Sequence, residues 1–278
     1  MQPSTSPTRK ALSHHLFAAL SAGGNAGLDW LEDARIAVAA TSADQVADAL
    51  ARPFAGARRR VGNAPLCDLG PRLATPCGAI ATAGWGRDDA ARACLLLTAL
   101  DTGAEPPALV DALFRAGDER ERAALIKALC LLPEPARALA TARAAGRSNS
   151  MLLYAALALE NPYPACCYDE RDFNQVILKC LFSGLPISRV TGLQSRANPS
   201  LSRMCEDYHD ERIAAGRTLP ADIWLALVPH AGDRGLALAC RQLDANAPGH
   251  ATYAAQALSG RRDITAVRQA LDGYAQRQ

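Results

Sequence analysis

The stretch that decides the fold runs from Asp88 to Gly146: DDAARACLLLTAL, then DTGAEPPALVDALFRAG, then DERERAALIKALCLLPEPARALATARAAG. Apolar residues recur there at helical spacing, in blocks of about a dozen separated by Gly, Pro and Asp. The pattern predicts helices over 88–100, 105–116, 118–132 and 134–145. Pro106-Pro107 sit where a first turn tolerates proline, Pro133 ends the third block, and Gly146 closes the fourth. Short connections between such blocks make antiparallel neighbours.

Working outward, the same style continues. Leu12, Leu16, Ala19 and Leu20 predict a first helix, Leu28, Leu31, Ile36 and Val38 a second, and Val46, Ala49 and Leu50 a third. Beyond the middle of the chain, helices are expected over 221–229, 234–243, 249–258 and 264–274. Residues 63–83 are rich in Gly and Pro and read as irregular. No alternating Val/Ile/Thr run predicts a strand. The expected fold is all-α: a HEAT-like α-solenoid or a compact helical array of antiparallel helices. The expected organisation is a disordered N-terminal tail over 1–10 and one helical domain over 11–278.

The 278 residues are 49% hydrophobic and 21% charged, which is enough to bury a core without metal or disulfide. Thirty basic against 28 acidic residues leave a formal net charge of +2, which argues against a dedicated nucleic-acid or anionic-membrane binder. Arg58-Arg59-Arg60 reads as a solvated helix end. No run approaches the roughly 20 apolar residues of a membrane helix. No signal peptide is read, so a cytoplasmic location is expected. The nine cysteines contain no C-x-x-C pair. Most fall at apolar positions of helical patterns and read as reduced, buried thiols. Vicinal Cys166-Cys167 could be a redox or soft-metal pair, but the sequence brings no third ligand near it. No metal and no cofactor are expected.

Unusual polar residues concentrate between Glu160 and Trp224. Asn161-Pro162-Tyr163-Pro164 reads as non-helical, because each Pro pushes its predecessor towards extended backbone. Asp169 or Glu170 starts the next helix. On that helix Phe173, Val176, Ile177, Cys180 and Leu181 form a buried stripe, while Asn174, Gln175 and Lys179 face elsewhere. Lys179 is one of only three lysines in an arginine-rich chain, and an amide pair with a lone ammonium suits oxygen-rich groups. Asn198 is an expected N-cap with Pro199 behind it. The helix that follows carries Leu201, Met204, Cys205 and Tyr208 on one face, and Arg203, Glu206, Asp207, Asp210 and Glu211 on the other. Three readings stay open for it. One is a charged surface helix; another is a divalent-cation site at Asp207, Asp210, Glu211 and His209; the third is an ion-pair network with Arg189, Arg196, Arg203, Arg212 and Arg217. Trp224 is expected in the core.

These residues resemble the EboA family. The matching pieces are N-P-Y-P at 161–164, F-N-Q-x-x-L-K-x-L-F at 173–182, R-x-N-x-x-L-x-R-M-x-x-D-Y at 196–208, E-R-x-A-A-G-R at 211–217 and P-x-D-I-W at 220–224. Between the first two pieces, Cys166-Cys167-Tyr168-Asp169 replaces the aromatic-rich connection usual in the family. The resemblance implies a place beside a UbiA-like prenyltransferase, a sugar-phosphate-cyclase-like enzyme, TIM-barrel proteins and a phosphatase-like protein, in a cluster that makes or moves a secondary metabolite. It implies no catalytic residue.

The leading expectation is a non-catalytic scaffold, adaptor or metabolite-binding protein. It would meet other proteins of the cluster, or a small polar or prenylated metabolite, through Asn174, Gln175, Lys179, Arg196, Asn198, Arg203, Asp207, Glu211, Arg212 and Arg217. The alternative is an enzyme acting on a polar or phosphorylated intermediate, with Lys179 and Arg196 holding the anion and Asp207 or Glu211 as acid/base.

Overall fold

A computed structural model describes residues 8–66, 73–80, 82, 84–244 and 247–277. They form two compact units, Met1–Cys167 and Tyr168–Gln278. Sixteen α-helices and one two-stranded sheet make the fold all-α among the described residues.

The first unit contains α1 (Arg9–Ala22), α2 (Leu28–Ala39), α3 (Val46–Val61), β1 (Leu73–Thr75), β2 (Gly78–Ile80), α4 (Arg87–Asp101), α5 (Pro106–Ala116), α6 (Glu119–Ala128), α7 (Leu139–Gly146), α8 (Met151–Ala158) and α9 (Tyr163–Cys167). Its centre is α4, packed against α1, α2, α3 and α6. Every residue of α4 from Arg87 to Leu100 except Asp89 is buried. A helix enclosed on nearly all sides is the mark of a compact helical array. Fully burying each of Leu95, Leu96 and Leu97 contributes about 1.5–3 kcal/mol. Arg87 fastens this helix at its start. Its guanidinium donates to the carbonyls of Leu20 (2.6 Å), Val61 (2.9 Å), Gly24 (2.9 Å) and Ala26 (3.1 Å). The first two lie in the final turns of α1 and α3, where orphan carbonyls and the helix dipoles favour a cation.

The second unit contains α10 (Glu170–Ser183), α11 (Leu193–Arg196), α12 (Pro199–Ala214), α13 (Trp224–Leu227), α14 (Asp233–Gln242), α15 (Pro248–Leu258) and α16 (Thr265–Ala275). α12 packs on α10 and α13, and α15 packs on α13, α14 and α16. Fully buried Trp224 donates its indole N–H to His250 Nδ1 at 3.1 Å.

Several local expectations change. The irregular 63–83 region contains a hairpin, paired Leu73 with Ile80, Ala74 with Ala79 and Thr75 with Gly78. Three-residue strands are too short to show an alternation. Ile36 is 61% exposed, because it leaves the face shared by Leu28, Leu31 and Val38. Tyr163-Pro164 open α9, where the missing proline N–H is an orphan position and costs nothing. The Asn161 side chain accepts from Tyr163 N at 3.0 Å and sets that turn. The blocks at 118–132 and 134–145 each contain a 3₁₀ segment, Leu129–Leu131 and Pro135–Ala138. Helix α1 starts at Arg9, within the stretch expected as a tail, because the Thr8 side chain caps Ala11 N. Residues 1–7 and Cys67 lie outside the described residues. No helix among the described residues is long and apolar enough to cross a membrane.

Candidate functional site

The polar segment of the second unit is built on α10 and α12. Asp169 caps α10 by accepting from Asp172 N at 2.7 Å, and Gly184 ends the helix with φ 70°. Asn198 caps α12 by accepting from Leu201 N at 2.8 Å. The buried stripe on α10 is realised in full: Phe173, Val176, Ile177, Cys180 and Leu181 are all buried.

The structure brings some predicted residues together and separates others. Asn174 and Asn198 are both buried, and each donates its amide to the other, at 3.2 and 2.9 Å. Arg196 donates to the Tyr168 carbonyl at 2.9 Å and lies over the Phe173 ring, 5.0 Å from its centre. Arg212 donates to the Thr218 carbonyl and lies over Tyr208 at 5.8 Å. Glu211 pairs with Arg217 at 3.3 Å, both exposed. Arg203 reaches Ser200 Oγ at 3.5 Å, and Asp207 forms no hydrogen bond or ion pair among the described residues. Gln175 is exposed and Lys179 half-buried; burial draws the Lys179 ammonium below the ordinary lysine range, as desolvation disfavours the charged form. Asp210 is held by Arg234 (Nη2 to Oδ1, 2.7 Å), an arginine in α14 that the α12 pattern does not reveal. That contact, followed by the bond from His209, holds the Asp210 carboxyl below its usual range.

Beside this seam Phe182 is 63% exposed and Ile213 is 59% exposed. Phe182 meets Tyr208 edge to face, with ring centres 4.8 Å apart. The second unit also has an open cleft of about 860 Å³, lined by Ser188, Val190, Leu193, Gln194, Leu225 and Arg261, among others. None of the predicted site residues is in its lining. Its arginine is committed through one nitrogen: Arg261 Nη1 donates to the carbonyls of Val228, Pro229 and Ala231 at 3.1–3.2 Å.

Two features of the first unit escape sequence reasoning. Glu160 has φ 55°, the one positive value at a non-glycine residue among the described residues, and holding it there costs roughly 1–3 kcal/mol. Glu160 lines a cavity of about 30 Å³ with Trp85, Lys127 and buried Asn161, room for water rather than for a metabolite. Lys127 is tied there to Asp89 at 2.6 Å and to the Gly84 carbonyl at 2.9 Å. The second feature is a third thiol beside the vicinal pair. Cys77, in the hairpin turn, places its sulfur 3.9 Å from that of Cys167. The hydrogen-bond contact with Cys77, in which either sulfur can donate, and further contacts with Cys166 and Tyr163 against burial, bring the Cys167 thiol down to about 7; Cys77 is correspondingly pushed up. A separation of 90 residues hides this neighbour from any local spacing rule.

Fold and site together define an all-α protein whose polar seam is largely satisfied by its own backbone and side chains. Residues 12–228 match the family described as metabolite traffic protein EboA, and the chain belongs to that family. No curated protein and no solved structure matches it.

Proposed function

We propose that this chain is a non-catalytic metabolite-binding adaptor, which holds an apolar-bodied, prenyl-type intermediate for the other proteins of its cluster. The observation that carries the reading is the cleft of about 860 Å³ in the second unit, whose size suits a small organic ligand. Leu193, Val190 and Leu225 offer apolar surface there, and Ser188 and Gln194 offer neutral hydrogen bonding. The lining has no carboxylate, imidazole or thiol among the described residues, and its arginine has Nη1 engaged with three carbonyls. Such a lining offers no carboxylate or imidazole base to activate a hydroxyl like that of Ser188. Exposed Phe182, edge to face with Tyr208, whose ring also carries Arg212, supports a protein contact on the seam, since aromatic and arginine side chains anchor interfaces.

The test is native mass spectrometry of the protein purified from cells that express its gene cluster. A retained small molecule, lost in Leu225→Arg but kept in Phe182→Ala, is the expected result. Cluster proteins should co-purify with the parent chain and be lost with Phe182→Ala. Recovery of neither a molecule nor a cluster protein would refute the adaptor reading, and so would chemical conversion of the retained molecule by the pure chain.

A further inference from the structure

We propose that Cys77, Cys166 and Cys167 form a three-thiolate site in the first unit for one thiophilic d¹⁰ metal ion, zinc(II) or copper(I). The ligand atoms of these three residues all lie within 4.8 Å of one another. They come from two rigidly framed pieces of chain. Cys77 sits in the turn between β1 and β2. Buried Thr75 holds that turn, accepting from Cys77 N at 3.2 Å and donating to the Gly78 carbonyl at 2.6 Å. Cys166 and Cys167 end α9. That helix is fastened by the bond from Tyr163 N to Asn161, and by the Tyr163 hydroxyl, which donates to the Pro135 carbonyl at 2.9 Å.

The spacing matches what a shared ion requires. With metal–sulfur bonds of about 2.3 Å, two thiolates on one tetrahedral ion sit roughly 3.8 Å apart. Cys77 and Cys167 stand at 3.9 Å. A disulfide between them would need closure to about 2.05 Å and would leave the third sulfur without a role. No carboxylate or imidazole joins the cluster among the described residues, so the donor set is purely soft and selects zinc or copper(I) over magnesium or calcium. Cys130 stays outside: it is buried and points its thiol at the Lys127 carbonyl, 3.3 Å away.

Cys166 is exposed and Cys77 and Cys167 are half-buried, which supplies the entry path a metal needs. Binding replaces three S–H bonds by three sulfur–metal bonds and releases the protons to solvent, with no change of oxidation state. Three protein ligands leave one coordination position of a tetrahedral ion open to water or an external thiol. With zinc(II) bound, the site therefore accepts an exchangeable ligand, unlike a closed four-cysteine structural site.

The experiment titrates reduced, metal-free protein under anaerobic conditions with zinc against a chromogenic chelator, and separately with copper(I) against bicinchoninate. One ion per chain is expected for at least one of the two metals. Cys77→Ser and Cys166→Ser should each lower its affinity by more than the roughly 10–100-fold that loss of an outer-sphere partner costs. Cys240→Ser, in the second unit, should leave it unchanged. Cobalt(II) substitution should give a thiolate-to-cobalt charge-transfer band, weakened in each of the first two variants. Circular dichroism establishes that the variants are folded, and exposed Cys166 keeps the test valid if Cys77→Ser unfolds. Equal affinity in the parent chain and both variants, or binding of neither ion, would overturn the proposal. A Cys77–Cys167 disulfide in protein kept under thiol reductant would do so too.

Discussion

Asn174 and Asn198 close a reciprocal amide pair between α10 and α12, each donating Nδ2 to the other's Oδ1, at 3.2 and 2.9 Å. Asn198 also caps α12 and donates to the Arg196 carbonyl at 3.0 Å. One buried side chain thus joins two helices and starts one of them. Asn198→Asp keeps the cap and deletes the donors, so a loss of about 1–3 kcal/mol is expected from the acceptors left unmatched. Asn198→Ala should lose about 1 kcal/mol more with the cap. In urea unfolding, Asn174→Ala and Asn198→Ala should be non-additive by about 0.5–3 kcal/mol; strict additivity would show that the pair is not coupled.

Arg87 carries a larger share of the first unit. Arg87→Met preserves much of the apolar stem but strips four carbonyls of their donor. Charged hydrogen bonds contribute about 1.5–3 kcal/mol each, so the expected destabilisation is roughly 3 kcal/mol or more. Thermal melting checks this, and a variant as stable as the parent chain would contradict it.

Gly27 precedes α2 with φ 75°, and a Cβ there would press on the Arg60 carbonyl, 2.7 Å from its carbon. Gly27→Ala should cost about 1–2 kcal/mol for the left-handed backbone, with about 1–3 kcal/mol of overpacking added. Gly24, at φ 105°, has open space around it, so Gly24→Ala should incur only a conformational cost. Equal effects of the two substitutions on the melting temperature would sink the packing argument.

The His250 imidazole accepts from the Trp224 indole through Nδ1. Burial, the main cause, pulls its pKa below the ordinary histidine value of 6.5; the Leu219 backbone opposes this and His209 adds to it. A folded pKa below the unfolded one means that the neutral form is favoured by folding. The contribution is present above about pH 6.5 and is lost as pH falls through the folded value. Stability should therefore drop from neutral towards mildly acidic pH, and His250→Gln, which does not titrate, should flatten that part of the profile. An unchanged slope in the variant would refute the assignment.

Much of the fold was legible along the chain. Apolar spacing identified the stripe from Phe173 to Leu181, and Asn198-Pro199 marked the start of α12. These signals are local: 3.6-residue periodicity and capping act within a few residues. The hairpin was missed because three-residue strands are too short to show a period. Tyr163-Pro164 was read as non-helical because a proline rule for helix interiors was applied to a first turn. The polar residues between 160 and 224 were legible as unusual, but their partners were not. Arg196 and Arg212 end on backbone carbonyls, and Asp210 ends on Arg234 from α14.

By itself the sequence determined that the fold class is all-α, where most of its helices begin and end, and which family its central motifs resemble. Only the tertiary structure decided that α4 is enclosed, that Asn174 faces Asn198, that the second unit has an open cleft, and that Cys77 stands beside Cys166 and Cys167. The physical reason is range. Helix propensity and capping are fixed by near neighbours, whereas burial, cavity shape and soft-ligand clusters depend on residues that only packing brings within a few ångströms.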